Sequence, residues 1–512
     1  MAKRVKVISS GFSVCLLPIS GQPHEWCNSM TGINSGKALL RASNSNFEIM
    51  RIFCPVSFCA LGLWFSLYLE NATAQVKHQD AQVRFLAFED VRETLAMFAN
   101  SDFPGSKIAS SGEWDQWIRE QDREVRSRID RGVEDSISNL ILFGTSFTKL
   151  PRFMNSSEAI DDSTEKLKPS ALARVRQLAA AVGAARRNER VEFVSAFLKR
   201  KKITSEQREA FLSHNLARYV MEQREYQQKL EQAAKSDDKS EILAARGTLY
   251  AQRGLSVDTS LLPNFAIEDT LRVLQAKGVL RAGSIKRIAI VGPGLDFTDK
   301  RDGYDFYPLQ TIQPFAVMEA VEQLGLGKWD DLQVVTLDLN AAVNAHVANL
   351  AAAARKGHAY QVQLPRDAAA QWTSQAVDYW EKFGEVIGKP AKPLAVPDQL
   401  PSVELKAVTI SPDRAARVTP MDLNIVAQTV DFPDGEGFDL VVATNILVYY
   451  DHFQQAMAMG NIARMMNAKG IFVSNTALPV AHDDRLKYLG GRNVAYAQDG
   501  SYGDDVVVYQ RR

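Results

Sequence analysis

The sequence FDLVVATNILVYYD, residues 438–451, contains the clearest strand pattern in the chain. Its first part is an unbroken apolar run, which is typical of a central parallel strand buried on both faces. The run turns polar at Thr444 and Asn445. Because ligands of open α/β sheets bind beyond the carboxyl ends of the strands, Thr444, Asn445 and Tyr449 are predicted to face a binding crevice.

Two earlier strands end in residues that suit a nucleotide-like ligand. Residues 286–296 read KRIAIVGPGLD, a strand followed at once by Gly292 and Gly294, which let the backbone turn sharply and approach a ligand closely. Residues 332–340 read LQVVTLDLN, a strand with Asp338 at its carboxyl end. An acid at this place accepts hydrogen bonds from ribose hydroxyls. Capping the following helix is a simpler role for Asp338, and the two roles are compatible.

Together these strands resemble the class I S-adenosylmethionine-dependent methyltransferases. The 438–451 stretch is most similar to the chemotaxis-receptor glutamate methyltransferases, whose fourth strand leads into Asn, aliphatic residues, aromatic residues and Asp. The glycine motif departs from the family twice, with Ile290 where many members have an acid and Asp296 where many have a third Gly. Aminopropyl transferases of the spermidine synthase type share the fold and also place Asp after the glycines.

The resemblance implies S-adenosylmethionine as the cofactor and assigns roles to residues of this chain. Asp422, after a third strand, would contact the adenine amine. Asn445 and Tyr449 would serve catalysis by positioning the cofactor or the substrate. The implied cofactor-binding residues are Gly292, Gly294, Asp296, Asp338, Asp422 and Thr444.

The fold class predicted from these patterns is α/β, with a Rossmann-like seven-stranded methyltransferase domain at residues 285–512, preceded by an all-α region. Residues 465–475 resemble the fifth strand, and residues 494–496 and 505–509 suit the sixth strand and the reversed seventh. Residues 341–408 are predicted to be an insertion larger than the fold requires, with helices followed by a proline-rich connector at 390–401.

Residues 80–278 are predicted to form a helical domain. From Phe85 onward, apolar residues recur at helical spacing, and long stretches lack both Gly and Pro. One helix is expected to begin near Gly112 and to end before a break at 144–146. Trp114 and Trp117 lie three residues apart on one helical face and are expected to pack in a core or between domains rather than to line a ligand groove.

Residues 50–74 have the parts of a secretory signal peptide, with cleavage expected after Ala74. They contain a positive start, an uncharged apolar run at 52–69 and a small-residue exit. The run is also long enough to cross a bilayer as an uncleaved membrane anchor, and a buried core helix is the third interpretation. A start at Met50 would make residues 1–49, which are unassigned, an upstream misreading. All four cysteines precede Ala74, so the mature part is predicted to have no disulfide, thiolate metal site or catalytic cysteine.

Composition narrows the functional classes. Lys and Arg total 60, as do Asp and Glu, so the charge balance gives no support to nucleic-acid binding. The seven histidines form no metal-ligand pattern. The expected function is methyl transfer to an unknown small-molecule or protein substrate. A carboxylate acceptor would need no general base, because that nucleophile is already ionised.

The export-like segment conflicts with this function, because S-adenosylmethionine is made in the cytosol. The chain is expected to be exported or membrane-anchored through residues 50–74, or cytoplasmic if that segment is not a signal. An exported interaction protein that keeps the fold without catalysis is the first alternative function. Aminopropyl transfer is the second.

Overall fold

The computed structural model describes residues 82–98, 108–184, 188–233, 253–298, 302–433, 436–475, 484–500 and 502–512. The segments predicted at 1–49 and 50–74 lie outside the described residues. Within the described residues, no helix combines the length and the apolar character that crossing a membrane requires.

The described residues form strands and helices that alternate over the second half of the chain. The strands are β1 (Gln82–Phe85), β2 (Arg287–Val291), β3 (Gln333–Asp338), β4 (Tyr360–Asp367), β5 (Gly388–Ala391), β6 (Val403–Ile410), β7 (Val418–Asp422), β8 (Gln428–Asp431), β9 (Phe438–Ala443), β10 (Met466–Ser474), β11 (Leu486–Ala495) and β12 (Gly503–Arg511). The helices are α1 (Phe88–Met97), α2 (Ser111–Phe143), α3 (Pro169–Gly183), α4 (Glu189–Arg200), α5 (Arg208–Ala233), α6 (Leu262–Ala276), α7 (Gln313–Gln323), α8 (Ala341–Arg355), α9 (Ser374–Lys382), α10 (Pro412–Ala415) and α11 (His452–Met465).

A seven-stranded sheet of order β11-β12-β10-β9-β2-β3-β7 is the centre of the fold. The strands from β10 to β7 in this order are parallel, and β12 runs antiparallel to both β10 and β11. The predicted α/β class with a mostly parallel seven-stranded sheet is confirmed. Because β2, β3 and β9 are neighbours and point the same way, their carboxyl ends share one edge of the sheet.

Both faces of the sheet are buried, as the apolar run in β9 predicts. Leu440 and Val442 face a core that includes α6 and α7, whereas Val441 and Ala443 face a core that includes α2 and α11. All four side chains are fully buried. Alternate residues of one strand point to opposite faces, so a strand covered on both sides must be apolar throughout.

Helices from the region before residue 278 cover both faces of the sheet. Trp114 and Ile118 of α2 belong to one core, and Phe265 and Leu271 of α6 belong to the other. Trp114 is fully buried and its indole N–H donates to the carbonyl of Leu86 (2.7 Å), so its expected role in core packing is confirmed. Residues Val76–Arg512 form one compact unit.

Two segments differ from the sequence prediction. The region predicted to be all-α contains the strand β1, which pairs antiparallel with β8. The insertion at 341–408 contains the expected helices, α8 and α9, but it also contributes most of a three-stranded antiparallel sheet of order β4-β6-β5 that was not expected. The strand β5 includes Pro390, which weakens its strand pattern, and β5 is an edge strand, where proline is tolerated.

Candidate cofactor site

An open cavity lies at the carboxyl edge of β2, β3 and β9. Six of the eight predicted site residues line it, although they come from distant parts of the chain. These six are Gly292, Gly294, Asp338, Thr444, Asn445 and Tyr449. The common direction of β2, β3 and β9 brings these residues to one edge of the sheet.

The carboxylate of Asp338 faces this cavity at the end of β3. The backbone N–H of Asn340 donates to its Oδ1 (2.7 Å). Desolvation raises the pKa of Asp338 to about 7, although backbone N–H groups of Asn340, Gly294 and Leu339 favour the charged form. The cap of α8 is Asn340, whose Oδ1 accepts from the N–H of Ala342 (2.9 Å). Asp338 therefore does not serve as the cap of α8.

Gly292 and Gly294 both have a φ of +66°, so each needs the left-handed region that favours glycine. A Cβ on Gly292 would lie 2.1 Å from Cδ1 of Ile446, and one on Gly294 would lie 2.8 Å from the carbonyl oxygen of Val257. The sequence predicted that this space admits a ligand. Instead, the chain's own side chain and backbone fill it, and the glycines shape the cavity wall.

Asn445 has a φ of +57°, an unusual value for a residue other than glycine. Its conformation is held by Asn475, which accepts from the N–H of Asn445 (2.7 Å) and donates from Nδ2 to its Oδ1 (3.0 Å). The neighbouring Thr444 hydroxyl accepts from Nε2 of Gln313 (2.8 Å). Strained residues that several contacts hold in place occur most often at functional sites.

Tyr449 is buried, and its carbonyl oxygen accepts from Nη2 of Arg128 on α2 (2.8 Å). The same guanidinium donates to the carbonyl oxygen of Arg253 (3.0 and 2.8 Å). Burial lowers the pKa of Arg128. Arg128 thus ties two walls of the cavity to one helix.

Two predicted cofactor residues do not line the cavity. Asp296 is 2% exposed, and its carboxylate accepts from the hydroxyl of Tyr307 (3.1 Å) and from Nε2 of Gln310 (2.8 Å). The loop after the glycines folds inward and satisfies Asp296 internally. Burial raises the pKa of Asp296 to about 6. Asp422 has a side chain that is 56% exposed, and it forms an ion pair with Arg126 (2.8 Å) outside the cavity.

The sequence prediction missed one wall of the cavity, the segment 255–260 before α6. This segment reads LSVDTS, and its Asp258 carboxylate accepts from the hydroxyl of Ser136 (2.8 Å) and from the N–H of Thr298 (3.3 Å). The hydroxyl-rich composition was visible in the sequence, but nothing there placed it opposite Gly294. Gln313, Asn340 and Tyr450 also line the cavity without having been predicted.

No protein-family model and no curated protein matches the sequence. Solved structures with similar folds include the N-methyltransferase NodS from Bradyrhizobium japonicum WM9 with S-adenosyl-L-homocysteine (11% identity, 56% of this chain, 98% of that chain, TM-score 0.22). A second is the magnesium protoporphyrin IX methyltransferase ChlM from Synechocystis PCC 6803 with bound SAM (10% identity, 56% of this chain, 90% of that chain, TM-score 0.22). A third is an O-methyltransferase family protein from Burkholderia thailandensis (13% identity, 79% of this chain, 98% of that chain, TM-score 0.20). The fold of this chain is defined by the order and direction of its own strands.

Proposed function

We propose that the protein is an S-adenosylmethionine-dependent methyltransferase. The main support for the proposal is that one cavity, at the carboxyl edge of a seven-stranded sheet, is lined by Gly292, Gly294, Asp338 and Asn445. Ligands of such sheets bind at this edge, and an acid at the end of the second strand suits a ribose.

The polar groups of the cavity fit an adenosyl group. The carboxylate of Asp338 can accept hydrogen bonds from two ribose hydroxyls. The side-chain Nδ2 of Asn340 is buried and has no hydrogen-bond partner among the described residues, so it is a donor available to a ligand. Apolar side chains that include Leu339, Val343 and Ile425 complete walls against which a flat base can pack.

When bound, S-adenosylmethionine would supply the methyl group of its sulfonium, to which a lone pair of the acceptor would bond in line as the bond from sulfur to the methyl carbon breaks and S-adenosylhomocysteine leaves. The chain's contribution is to align the acceptor and to exclude water, which Asn445, Tyr449 and the segment 255–260 are placed to do. None of the described residues that line the cavity is a histidine. A carboxylate acceptor, as in the chemotaxis-receptor methyltransferases, is consistent with this wall because it needs no general base.

The proposal requires access to a cytosolic cofactor. Of the expected roles of residues 50–74, a cytosol-facing anchor is therefore the one we propose. Cell fractionation with protease protection tests this point separately from the chemistry. A protein found outside the cytosol would favour the exported interaction protein.

Calorimetric titration of the full chain with S-adenosylmethionine and its decarboxylated form tests the function. Micromolar binding of S-adenosylmethionine is expected. Preference for the decarboxylated form would select aminopropyl transfer, and absence of binding would select the non-catalytic alternative. Asp338→Asn should weaken binding by about tenfold or more, because it removes a charged acceptor. The control Asp331→Asn, an exposed acid just before the same strand, should leave it unchanged.

A further inference from the structure

A second cavity lies between α6, α7 and α9 and shares no lining residue with the cofactor cavity. Its wall contains three aromatic rings, four carboxylates and two cationic side chains. The lining residues that matter here are Phe265, Glu268, Glu319, Tyr379, Lys382 and Phe383. The excess of carboxylates disfavours an anionic ligand.

Most charged groups of this wall are already paired. The ion pairs are Glu268 with Arg272 (2.5 Å), Asp269 with Arg492 (2.6 Å) and Asp378 with Lys382 (3.5 Å). Glu319 differs, since in the described part of the chain it forms no ion pair. Its oxygens accept from the backbone N–H groups of Gly384 (2.8 Å) and Val386 (3.3 Å). Glu319 is 3% exposed, and burial raises its pKa to about 7.

Tyr379 provides an independent observation. Its side chain is 7% exposed, and its hydroxyl is buried without a hydrogen-bond partner among the described residues. The ring lies between those of Phe265 (centroids 5.6 Å apart) and Phe383 (6.2 Å). Burial and the nearby Glu268 and Glu319 hold the pKa of Tyr379 well above its usual range.

A purely structural role explains Glu319 but not Tyr379. Glu319 anchors the turn at 384–386 through two backbone N–H groups. An unbonded buried hydroxyl, by contrast, carries a desolvation cost that a phenylalanine of the same shape would avoid. A ligand that bonds the hydroxyl removes this cost.

We propose that the second cavity binds a small organic ammonium compound, with the ammonium group between Glu319 and the Tyr379 hydroxyl and the apolar part against Phe265, Tyr379 and Phe383. An ammonium group donates three hydrogen bonds, which the carboxylate and the phenol oxygen can accept. Aromatic faces attract such cations further. The proposal does not depend on the cofactor site.

The probe is 2-phenylethylammonium, with the neutral 2-phenylethanol as its matched control, titrated calorimetrically into the full chain. Saturable binding of the amine is expected, with the alcohol at least about tenfold weaker because the charge-assisted bond is lost. Tyr379→Phe should weaken amine binding about threefold to tenfold. The same variant should melt no lower than the wild type, because it removes only an unbonded hydroxyl. Tyr488→Phe, at a tyrosine that is 57% exposed, should leave the affinity unchanged.

Two further variants separate the possible outcomes. Glu319→Gln should lose more affinity than Tyr379→Phe, and Asp338→Asn in the other cavity should lose none. Equal binding of the amine and the alcohol, unchanged amine affinity in Tyr379→Phe, or no saturation by about 10 mM would overturn the proposal. Loss of amine binding in Asp338→Asn would place the amine in the cofactor cavity and would also overturn it.

Discussion

The charged carboxyl group of Asp338 costs the folded protein more free energy than that of an ordinary surface acid. It is desolvated at the rim of the sheet, and this raises its pKa to about 7. A desolvated carboxyl group in a cavity is a candidate functional residue, because donors of a ligand would stabilise its charged form beyond what the backbone N–H groups of Asn340, Gly294 and Leu339 supply. Binding of a ribose should therefore lower the pKa of Asp338 and be accompanied by proton release near neutral pH.

The stability of the protein should reflect this pKa. A folded-state pKa of about 7 exceeds the ordinary 3.8, so the contribution of Asp338 to stability is present at low pH and is lost as pH rises through about 7. Asp338→Asn should match the wild type near pH 4 and exceed its free energy of unfolding by roughly 1–3 kcal/mol near pH 8. Urea denaturation at both pH values measures this. A variant less stable than the wild type near pH 8 would contradict the assignment, and Asp331→Asn should show no such pH dependence.

Gly292 allows a test of the cavity wall. Gly292→Ala should destabilise the protein by about 2–4 kcal/mol, because the left-handed backbone is strained and the new Cβ overlaps Ile446. Gly278→Ala is the matched control, since Gly278 has a φ of +70° and open space around it. Gly278→Ala should lower the free energy of unfolding by about 1 kcal/mol, which is the cost of the left-handed backbone alone. Thermal denaturation of both variants gives the difference.

A double-mutant cycle checks the cause. Ile446→Ala in the Gly292→Ala background should recover about 1–2 kcal/mol relative to the sum of the single changes. Additive effects would show that the two residues do not compete for the same space.

At the scale of elements, the sequence predicted strands better than it predicted what covers them. Because β9 is buried on both faces, its apolar run is a local pattern, and Gly292 and Asp338 follow from where such strands end. The segment 255–260 reaches the cavity only through long-range contacts, such as the bond from Arg128 to the carbonyl of Arg253. The spacing of apolar residues along the sequence contains no information about such long-range contacts. The expectation that Asp296 binds the cofactor rested on the resemblance alone. In the structure, Tyr307 and Gln310 of the same loop donate hydrogen bonds to its carboxylate.

The bridge formed by Arg128 makes α2 part of the site. Arg128→Met keeps most of the side-chain volume but removes the bonds to Arg253 and Tyr449. We expect S-adenosylmethionine affinity to fall about tenfold and hydrogen exchange in 253–260 to accelerate, since both cavity walls lose their tie. Calorimetry and exchange mass spectrometry measure the two effects.

The control for this change is Arg123→Met, an exposed arginine on the same helix. It should alter neither the affinity nor the exchange rate. If Arg128→Met also leaves exchange in 253–260 unchanged, the bridge does not hold the wall in solution.

At the scale of the whole molecule, the helices before the glycine motif and the sheet after it depend on each other. Gly132 of α2 and Gly254 cross so closely that a Cβ on Gly132 would lie 1.7 Å from the carbonyl oxygen of Leu255. This crossing brings the segment 255–260 over the sheet edge. Both parts of the chain therefore contribute walls to the cavity, although the sequence analysis predicted them as two separate domains.

This interdependence predicts the behaviour of truncated chains. A chain of residues 285–512 lacks α1, α2 and α6 and would expose apolar faces of β9 and β2 that these helices bury. Large exposed apolar faces favour aggregation over folding. We expect this chain to bind a hydrophobic dye and to melt without a cooperative transition, whereas residues 76–512 should melt cooperatively. Circular dichroism melts with dye fluorescence distinguish the two. A cooperative melt of 285–512, with S-adenosylmethionine affinity retained, would show that the helices are dispensable covers and that the segment 255–260 has no part in binding.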